Sequence, residues 1–194
     1  MEAPSSREPN TVEPGGPRSL RAIAKPDKSE YPSYAHIIYI DLLPGDGLIL
    51  RHLQDNLKST TAFLASIPKA RLMHRYAEGK WTIKEILGHI VDDERIYAYR
   101  ALRFARNDAI ELPGFDQDLF ARYSGANQRD MTDLLSEFVT VRQSTITLFN
   151  SLDDLALMRT GVADGNQGSV RALAYHIAGH ELRHVNVIKE RYLK

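Results

Sequence analysis

Four long stretches of the chain carry apolar residues at helical spacing, and this pattern constrains the fold more than any other feature. They cover residues 47–67, 82–105, 132–152 and 169–192. In the first stretch Leu50, Leu53 and Leu57 recur three or four residues apart, which is the repeat of one helix face. Pro68 ends this helix, and the capping box Thr82-Ile-Lys-Glu85 begins the next one. No strand alternation competes with these stretches, so the sequence predicts an all-α fold.

The lengths of the connections favour a four-helix bundle. Residues 106–131 form the longest link, between the second and third helices. A link of that length can cross the bundle from end to end, whereas simple bundle turns are short. The second and third helices are therefore predicted to run parallel.

The chain before the first long helix divides into two parts. Six of the nine prolines lie within residues 1–32, and such a composition buries too little apolar surface to offset the entropy of the chain. Residues 1–28 are therefore predicted to be a disordered tail or to be draped over the surface, and residues 29–194 to form one domain. The apolar, β-branched segment 34–43 ends in turn residues, and we expect it to be extended along the helical body.

Charge and cysteine content exclude several classes of function. Lys plus Arg equals Asp plus Glu at 25 each, so the chain carries no bulk basic surface for nucleic acid or anionic lipid. The chain has no cysteine, which excludes disulfides, thiolate zinc sites and cysteine nucleophiles. No apolar run approaches the roughly 20 residues that span a bilayer, and the N-terminal residues lack the apolar region of a signal peptide. We therefore expect a cytoplasmic protein without nucleic-acid or membrane partners.

The histidines give the strongest indication of chemistry. His176, His180 and His184 stand four residues apart on the fourth helix, and residues at that spacing share a face and can clamp one metal ion. His89 lies on the second helix, about 10 Å beyond Thr82 at the helical rise of ~1.5 Å per residue. If the second and fourth helices are antiparallel, His89 is level with His184. The sequence therefore permits a three-histidine metal site between two helices.

The segment His180-Glu181-Leu182-Arg183-His184 also matches the H-E-x-x-H pattern of zinc metalloproteases, in which the glutamate is the general base. Such enzymes usually take a third ligand downstream of the motif. Only ten residues follow His184, none of them His, Asp or Cys, and Glu190 lies too close on the same helix. A metalloprotease is therefore retained only as an alternative function.

Two carboxylates are candidates for catalytic work beside such a site. Asp93 lies one turn after His89 on the same face, and it either orients a ligand and handles protons or forms an ion pair with Arg95 or Arg183. Glu181 is the second candidate base, although it lies 100° around the helix from the preceding histidine.

Nearby aromatic residues have two interpretations. Trp81 and Tyr97 are either core residues or platforms for a substrate. Phe115 and Phe120, in the long link, either close the metal cavity or cover the open side of the core.

Several longer motifs occur at the helix starts and in the long link. They are Tyr39-Ile-Asp-Leu-Leu-Pro-Gly-Asp-Gly47, Gly79-Lys-Trp-Thr-Ile-Lys-Glu-Ile-Leu-Gly-His89, Asp93-Glu94-Arg95, Leu112-Pro-Gly-Phe-Asp116, Val170-Arg-Ala-Leu-Ala-Tyr175 and Ile177-Ala-Gly-His-Glu-Leu-Arg-His184. With these motifs, residues 34–193 resemble the DinB/YfiT-like superfamily in its DinB-like four-helix branch. The resemblance implies an up-down-down-up bundle. It also implies a divalent metal ion, zinc or nickel before iron, held by His89, His180 and His184, with His176 outside the ligand set.

The resemblance further implies a homodimer that acts on a small molecule. Some relatives use low-molecular-weight thiols as cosubstrates in transferase or isomerase reactions. The expected function is therefore that of a metal-dependent hydrolase or thiol-dependent transferase of unknown substrate. A non-catalytic module that binds a small ligand or a metal is the main alternative.

Overall fold

The computed structural model describes residues 19–194, which form seven helices and one hairpin of two short strands. In chain order these are α1 (Ser33–Ile38), α2 (Ile49–Ala65), α3 (Ile83–Ala105), α4 (Gln117–Tyr123), α5 (Met131–Ser151), α6 (Asp154–Met158), β1 (Thr160–Ala163), β2 (Asn166–Ser169) and α7 (Val170–Val187). A π-helical turn over Ile188–Tyr192 extends α7. The disorder predicted for residues 1–18 lies outside the described part of the chain. No helix within residues 19–194 combines the length and apolar character needed to cross a membrane.

The four predicted long helices are α2, α3, α5 and α7, and they form the bundle. Their starts follow from local sequence. Thr82 accepts a hydrogen bond from the amide of Glu85 (3.1 Å), and the Glu85 carboxylate accepts one from the amide of Thr82 (2.8 Å), so the capping box is confirmed. Ser169 caps α7 in the same way by accepting from the amide of Ala172 (3.2 Å).

Contacts between helix ends give the helix directions. Lys84, near the start of α3, donates to the carbonyl of Asn127 just before α5 (2.9 Å), so α3 and α5 begin at the same end and run parallel. The long link between them, which carries α4, crosses the bundle as predicted. Tyr192, at the end of the α7 extension, donates to the carbonyl of Trp81 before α3 (2.7 Å), so α7 is antiparallel to α3.

The direction of α2 completes the topology. Lys189 beyond α7 lies 5.0 Å from the ring centre of Phe63 near the end of α2, so these two helices end together. The order is therefore up-down-down-up, and the fold class implied by the resemblance is confirmed.

The core consists of two apolar clusters with a buried polar layer between them. On α3 one cluster ends at Val91 and the other begins at Ala101; on α7 the corresponding limits are Ala178 and Ile188. The residues between those limits include buried polar side chains at positions 93, 94, 180 and 181, and Arg142 is buried on α5 between Val141 of one cluster and Ile146 of the other. Because a buried polar group is costly unless it is paired, this layer is where the fold departs from simple apolar packing.

The segment 34–43 is not extended, as the sequence suggested, but helical. It forms α1 and a 3-10 turn over Ile40–Leu42. Its β-branched residues misled the prediction, because Ile37 and Ile38 are exposed whereas Ala35 and Ile40 are buried against the bundle.

The link before α7 contains a short hairpin, which the sequence analysis did not predict, while the all-α fold class is confirmed. Strands β1 and β2 pair antiparallel around Asp164-Gly165, and both turn residues have positive φ angles (54° and 68°). An Asp-Gly pair at such a turn is a strong hairpin signal, and the sequence carried it.

The packed chain begins before residue 29. Ile23 is buried, and its amide donates to the carbonyl of Gly47 (2.9 Å). Residues 19–28 therefore lie against the body, and the Lys25 ammonium group also attaches them by donating to the carbonyl of Leu43 (2.7 Å).

Candidate metal centre

Three histidine rings meet between α3 and α7. The Nε2 atom of His180 lies 3.0 Å from Nε2 of His89 and 3.1 Å from Nε2 of His184. One nitrogen from each ring falls within 4.8 Å of the others, which is close enough for one metal ion to bind all three. Metal–nitrogen bonds of about 2.0–2.1 Å in a tetrahedral site give nitrogen separations of about 3.3 Å. The structure thus brings together the three predicted ligands.

The local fold explains why these rings converge. His180 and His184 share one face of α7, and the antiparallel α3 brings His89 to the same level. The Trp81 ring lies 4.7 Å from the His89 ring and is stacked at 6.4 Å on the His184 ring, so it forms one wall of the centre. Tyr39 packs edge-on against His180 at 5.4 Å and forms another.

The three rings are neutral, which is the state that binds metals. Burial lowers the pKa of His89 and lowers the pKa of His180 well below its usual range. Burial, together with the neighbouring His89 and Arg183, lowers the pKa of His184 to about 3. At neutral pH each ring therefore keeps a nitrogen lone pair, and protons do not compete for it. This donor set fits a divalent metal ion.

Asp93 lies behind the cluster. Its Oδ2 atom is 3.3 Å from Nδ1 of His180 and 3.4 Å from Nε2 of His176. A proton on Nδ1 of His180 that faces this carboxylate leaves the lone pair of Nε2 directed at the other two histidines. This placement suits the predicted orienting role of Asp93.

His176 lies outside the three-ring cluster, in agreement with its omission from the ligand set. Its Nδ1 atom is 2.9 Å from the hydroxyl of Tyr31, and its ring is stacked on Tyr97 at 3.8 Å.

Glu181, the second predicted base, does not face the three histidines. Its carboxylate Oε2 accepts a hydrogen bond from Nη1 of Arg142 (2.7 Å), and Arg142 also binds both carboxylate oxygens of Glu94 (2.8 and 2.9 Å). The rotation of 100° from His180 turns Glu181 toward α5 instead of toward the histidines. The arrangement of a metalloprotease, in which this glutamate serves the metal, is therefore absent from the described residues.

Arg142 is the buried residue that the sequence analysis missed. It is fully buried, and it also donates to the carbonyl of Leu53 (3.1 Å). A signal existed, because position 142 falls on the apolar stripe of α5 that includes Phe138 and Ile146. A charged residue on such a stripe indicates a buried ion pair.

Two cavities reach the histidines from different sides. The first, of about 520 Å³, is lined by Asp93, His176 and His180, and also by Tyr97 and Phe115. The second, of about 510 Å³, is lined by Trp81 and His184 among others. The two share wall residues at positions 39, 117 and 118. Tyr97, Trp81 and Phe115 therefore border open space, as a substrate platform or a cavity wall would.

Comparisons with known protein families and solved structures agree with the observed fold. A sequence model of the DinB superfamily matches residues 52–188. The solved structure of YfiT from Bacillus subtilis, described as a probable metal-dependent hydrolase with an unusual four-helix bundle topology, is similar with a TM-score of 0.60 and 13% identity over 79% of this chain and 97% of that one. A DinB-like protein from Bacillus subtilis, YjoA, is similar with a TM-score of 0.53 and 20% identity over 73% of this chain and 86% of that one. At these identities the likeness shows the fold. No curated protein sequence matches the chain significantly.

Proposed function

This chain belongs to the DinB superfamily, and we propose that it is a metal-dependent hydrolase or thiol-dependent transferase whose divalent metal ion is held by His89, His180 and His184. The observation that carries the proposal is the convergence of three neutral imidazole nitrogens at separations of 3.0 and 3.1 Å. Three protein ligands leave a coordination position open, which is typical of catalytic rather than structural sites.

The ligand type narrows the choice of metal. Imidazole nitrogen suits zinc, nickel and iron, and we propose zinc or nickel before iron. A bound ion of this kind lowers the pKa of a coordinated water or thiol and polarises a substrate oxygen. The name of YfiT, a probable metal-dependent hydrolase of the same fold, supports hydrolysis as the first reaction to assay.

We assign further roles to two side chains beside the three histidines. Asp93 orients His180 from behind and lines the larger cavity, so it is our candidate for holding a proton during the reaction. Trp81 packs against His89 and His184 on the other side and limits the orientations of their rings.

The proposal extends to the setting of the reaction. The substrate is a small molecule, a low-molecular-weight thiol is the cosubstrate in the transferase form, and the protein works as a homodimer in the cytoplasm. Exposed apolar side chains on α1 and α4, among them Ile37, Leu119 and Tyr123, support an assembly surface. Light scattering after size-exclusion chromatography measures the oligomeric state.

The test is metal analysis of the purified full-length chain and of matched histidine variants. We expect about one divalent ion per chain, lost in His89→Ala and in His184→Ala. His52→Ala is the control, because His52 lies on α2 and its ring faces Asp46 (2.8 Å). Undiminished metal in His184→Ala, or no binding of added zinc or nickel by the parent chain, would refute the assignment. A cobalt-substituted protein whose spectrum shows a fourth protein ligand would favour the non-catalytic alternative.

A further inference from the structure

We propose that the substrate carries an ammonium group, which binds in the 520 Å³ cavity beside His180; this inference rests on the proposed function and names the substrate class. We call this space the acidic cavity. Four carboxylates line it, from Asp93, Asp116, Asp118 and Asp164. Among residues 19–194, no lysine or arginine side chain lines it.

One of these carboxylates has an oxygen that the protein itself leaves incompletely paired. Asp93 is only 4% exposed, and its Oδ2 atom has no well-aligned hydrogen bond within the described residues. Its neighbours at 3.3 and 3.4 Å are ring nitrogens of His180 and His176, and the Nε2 atom of His176 is likewise unpaired. A buried carboxylate whose charge is incompletely compensated is costly, so the positive charge of a ligand in the cavity would stabilise it.

The remaining walls of the acidic cavity include four aromatic rings, from Tyr34, Tyr39, Tyr97 and Phe115. Burial raises the pKa of Tyr97 to about 12 and also raises that of Tyr39, so both phenols are neutral at pH 7. The faces of neutral aromatic rings attract cations, and aromatic walls are a recurrent way of binding quaternary ammonium groups.

A ligand cation would meet the rings of Tyr34, Tyr39 and Phe115 rather than that of Tyr97, which is stacked on His176 at 3.8 Å and already contacts Arg100. The guanidinium carbon of Arg100 lies 4.9 Å from the ring centre of Tyr97 and 6.0 Å from that of Phe115. The side chain is buried and donates to the carbonyl of Pro113 (3.1 Å), so it is fixed outside the cavity wall. The four carboxylates outweigh its single positive charge.

The second cavity has the opposite character. Lys80 and Arg183 line it next to His184, and Asp118 is its one carboxylate among the described residues. The charge is therefore asymmetric across the histidine cluster. A substrate that crosses the cluster would place its ammonium group near Asp93 and any anionic group near Lys80.

The experiment compares choline with 3,3-dimethylbutan-1-ol, two probes of equal shape that differ in the charge of one central atom. Because both carry the same hydroxyl, any contact of that group with the metal cancels. Binding is measured by NMR titration of the full-length chain, once loaded with zinc and once treated with a chelator. We expect choline to bind about tenfold more tightly or better in both states, with a preference that falls as salt increases.

Variants test whether the carboxylates of the acidic cavity cause the preference for choline. Asp118→Asn together with Asp164→Asn is expected to weaken choline binding by about fivefold or more without changing the affinity for the alcohol. Asp55→Asn is the matched control, because Asp55 is an exposed carboxylate on α2, outside the cavity. The affinity for choline should be unchanged in this variant.

The outcomes separate the two proposals. Equal affinity for the two probes, or equal losses in the Asp55 variant and the cavity variant, would overturn the ammonium proposal. A chain that binds zinc but does not prefer choline refutes this inference alone. A chain that prefers choline but never binds metal supports the acidic cavity and refutes the proposed metal function.

Discussion

Replacing Arg142 by methionine is expected to lower the free energy of unfolding by about 3–5 kcal/mol, because two buried carboxylates then lose their cation. Arg142 is fully buried and donates hydrogen bonds to Glu94, to Glu181 and to the carbonyl of Leu53 at 2.7–3.1 Å. Both partner carboxylates are at most 1% exposed, so solvent does not screen them. Although burial opposes its charge, the two carboxylates raise the pKa of Arg142, which therefore stays protonated.

The loss would be a large part of the total, since domains of this kind have about 5–15 kcal/mol of stability. Urea denaturation followed by circular dichroism measures it. The triple variant Arg142→Met, Glu94→Leu, Glu181→Leu should recover most of the loss, because an apolar set of similar volume leaves no unpaired charge. A loss below about 1 kcal/mol in the single variant, or no recovery in the triple variant, would refute the account of a fully desolvated charge cluster.

Three further outcomes follow from individual contacts. Gly179→Ala should destabilise the chain by about 1–3 kcal/mol in the same urea assay and detach α1, because a Cβ atom there would lie 2.2 Å from the carbonyl oxygen of Tyr39. Asp93→Asn should weaken zinc affinity by about 10–100-fold in a chelator competition assay while the helical content is kept, because the orienting charge behind the metal ligands is lost. Burial alone would raise the pKa of Glu30, but hydrogen bonds from Arg171 lower it to about 2 from its usual 4.5. This pair should therefore contribute up to about 1 kcal/mol above pH 4.5, a contribution lost as the pH falls toward 2 and absent throughout in Glu30→Gln, as thermal melts at pH 3 and 6 would show.

The bundle itself could be predicted from the sequence because the features that define its helices act over short stretches of the chain. The four long helices are defined by apolar spacing and by caps such as Thr82 and Ser169, which act within one turn of the chain. The segment 34–43 could not be assigned in this way. Its conformation depends on burying Ile40 against α7, where Gly179 admits the backbone of Tyr39, and that contact joins residues 140 positions apart. Tertiary packing there overrides β-branched propensity.

The candidate site could likewise be predicted from the sequence only in part. The spacing of His180 and His184 is a property of one helix, and the level of His89 follows from helix direction, so all three positions could be inferred. The partner of Glu181 could not be inferred. Whether its carboxylate faces the histidines or α5 depends on which face α7 turns toward its neighbours.

The buried polar layer connects stability with the proposed chemistry. Glu181 directly follows His180 on α7, so the ion pair with Arg142 fixes the helix at the residue beside a metal ligand. A simple apolar stripe at these positions would pack equally well but would hold neither the histidines nor Asp93 in a defined orientation. Within the described residues, the polar layer borders the acidic cavity on the side of Asp93. Polar residues interrupt the apolar core at the level where the histidines meet. Such departures from apolar packing are expected at a functional site.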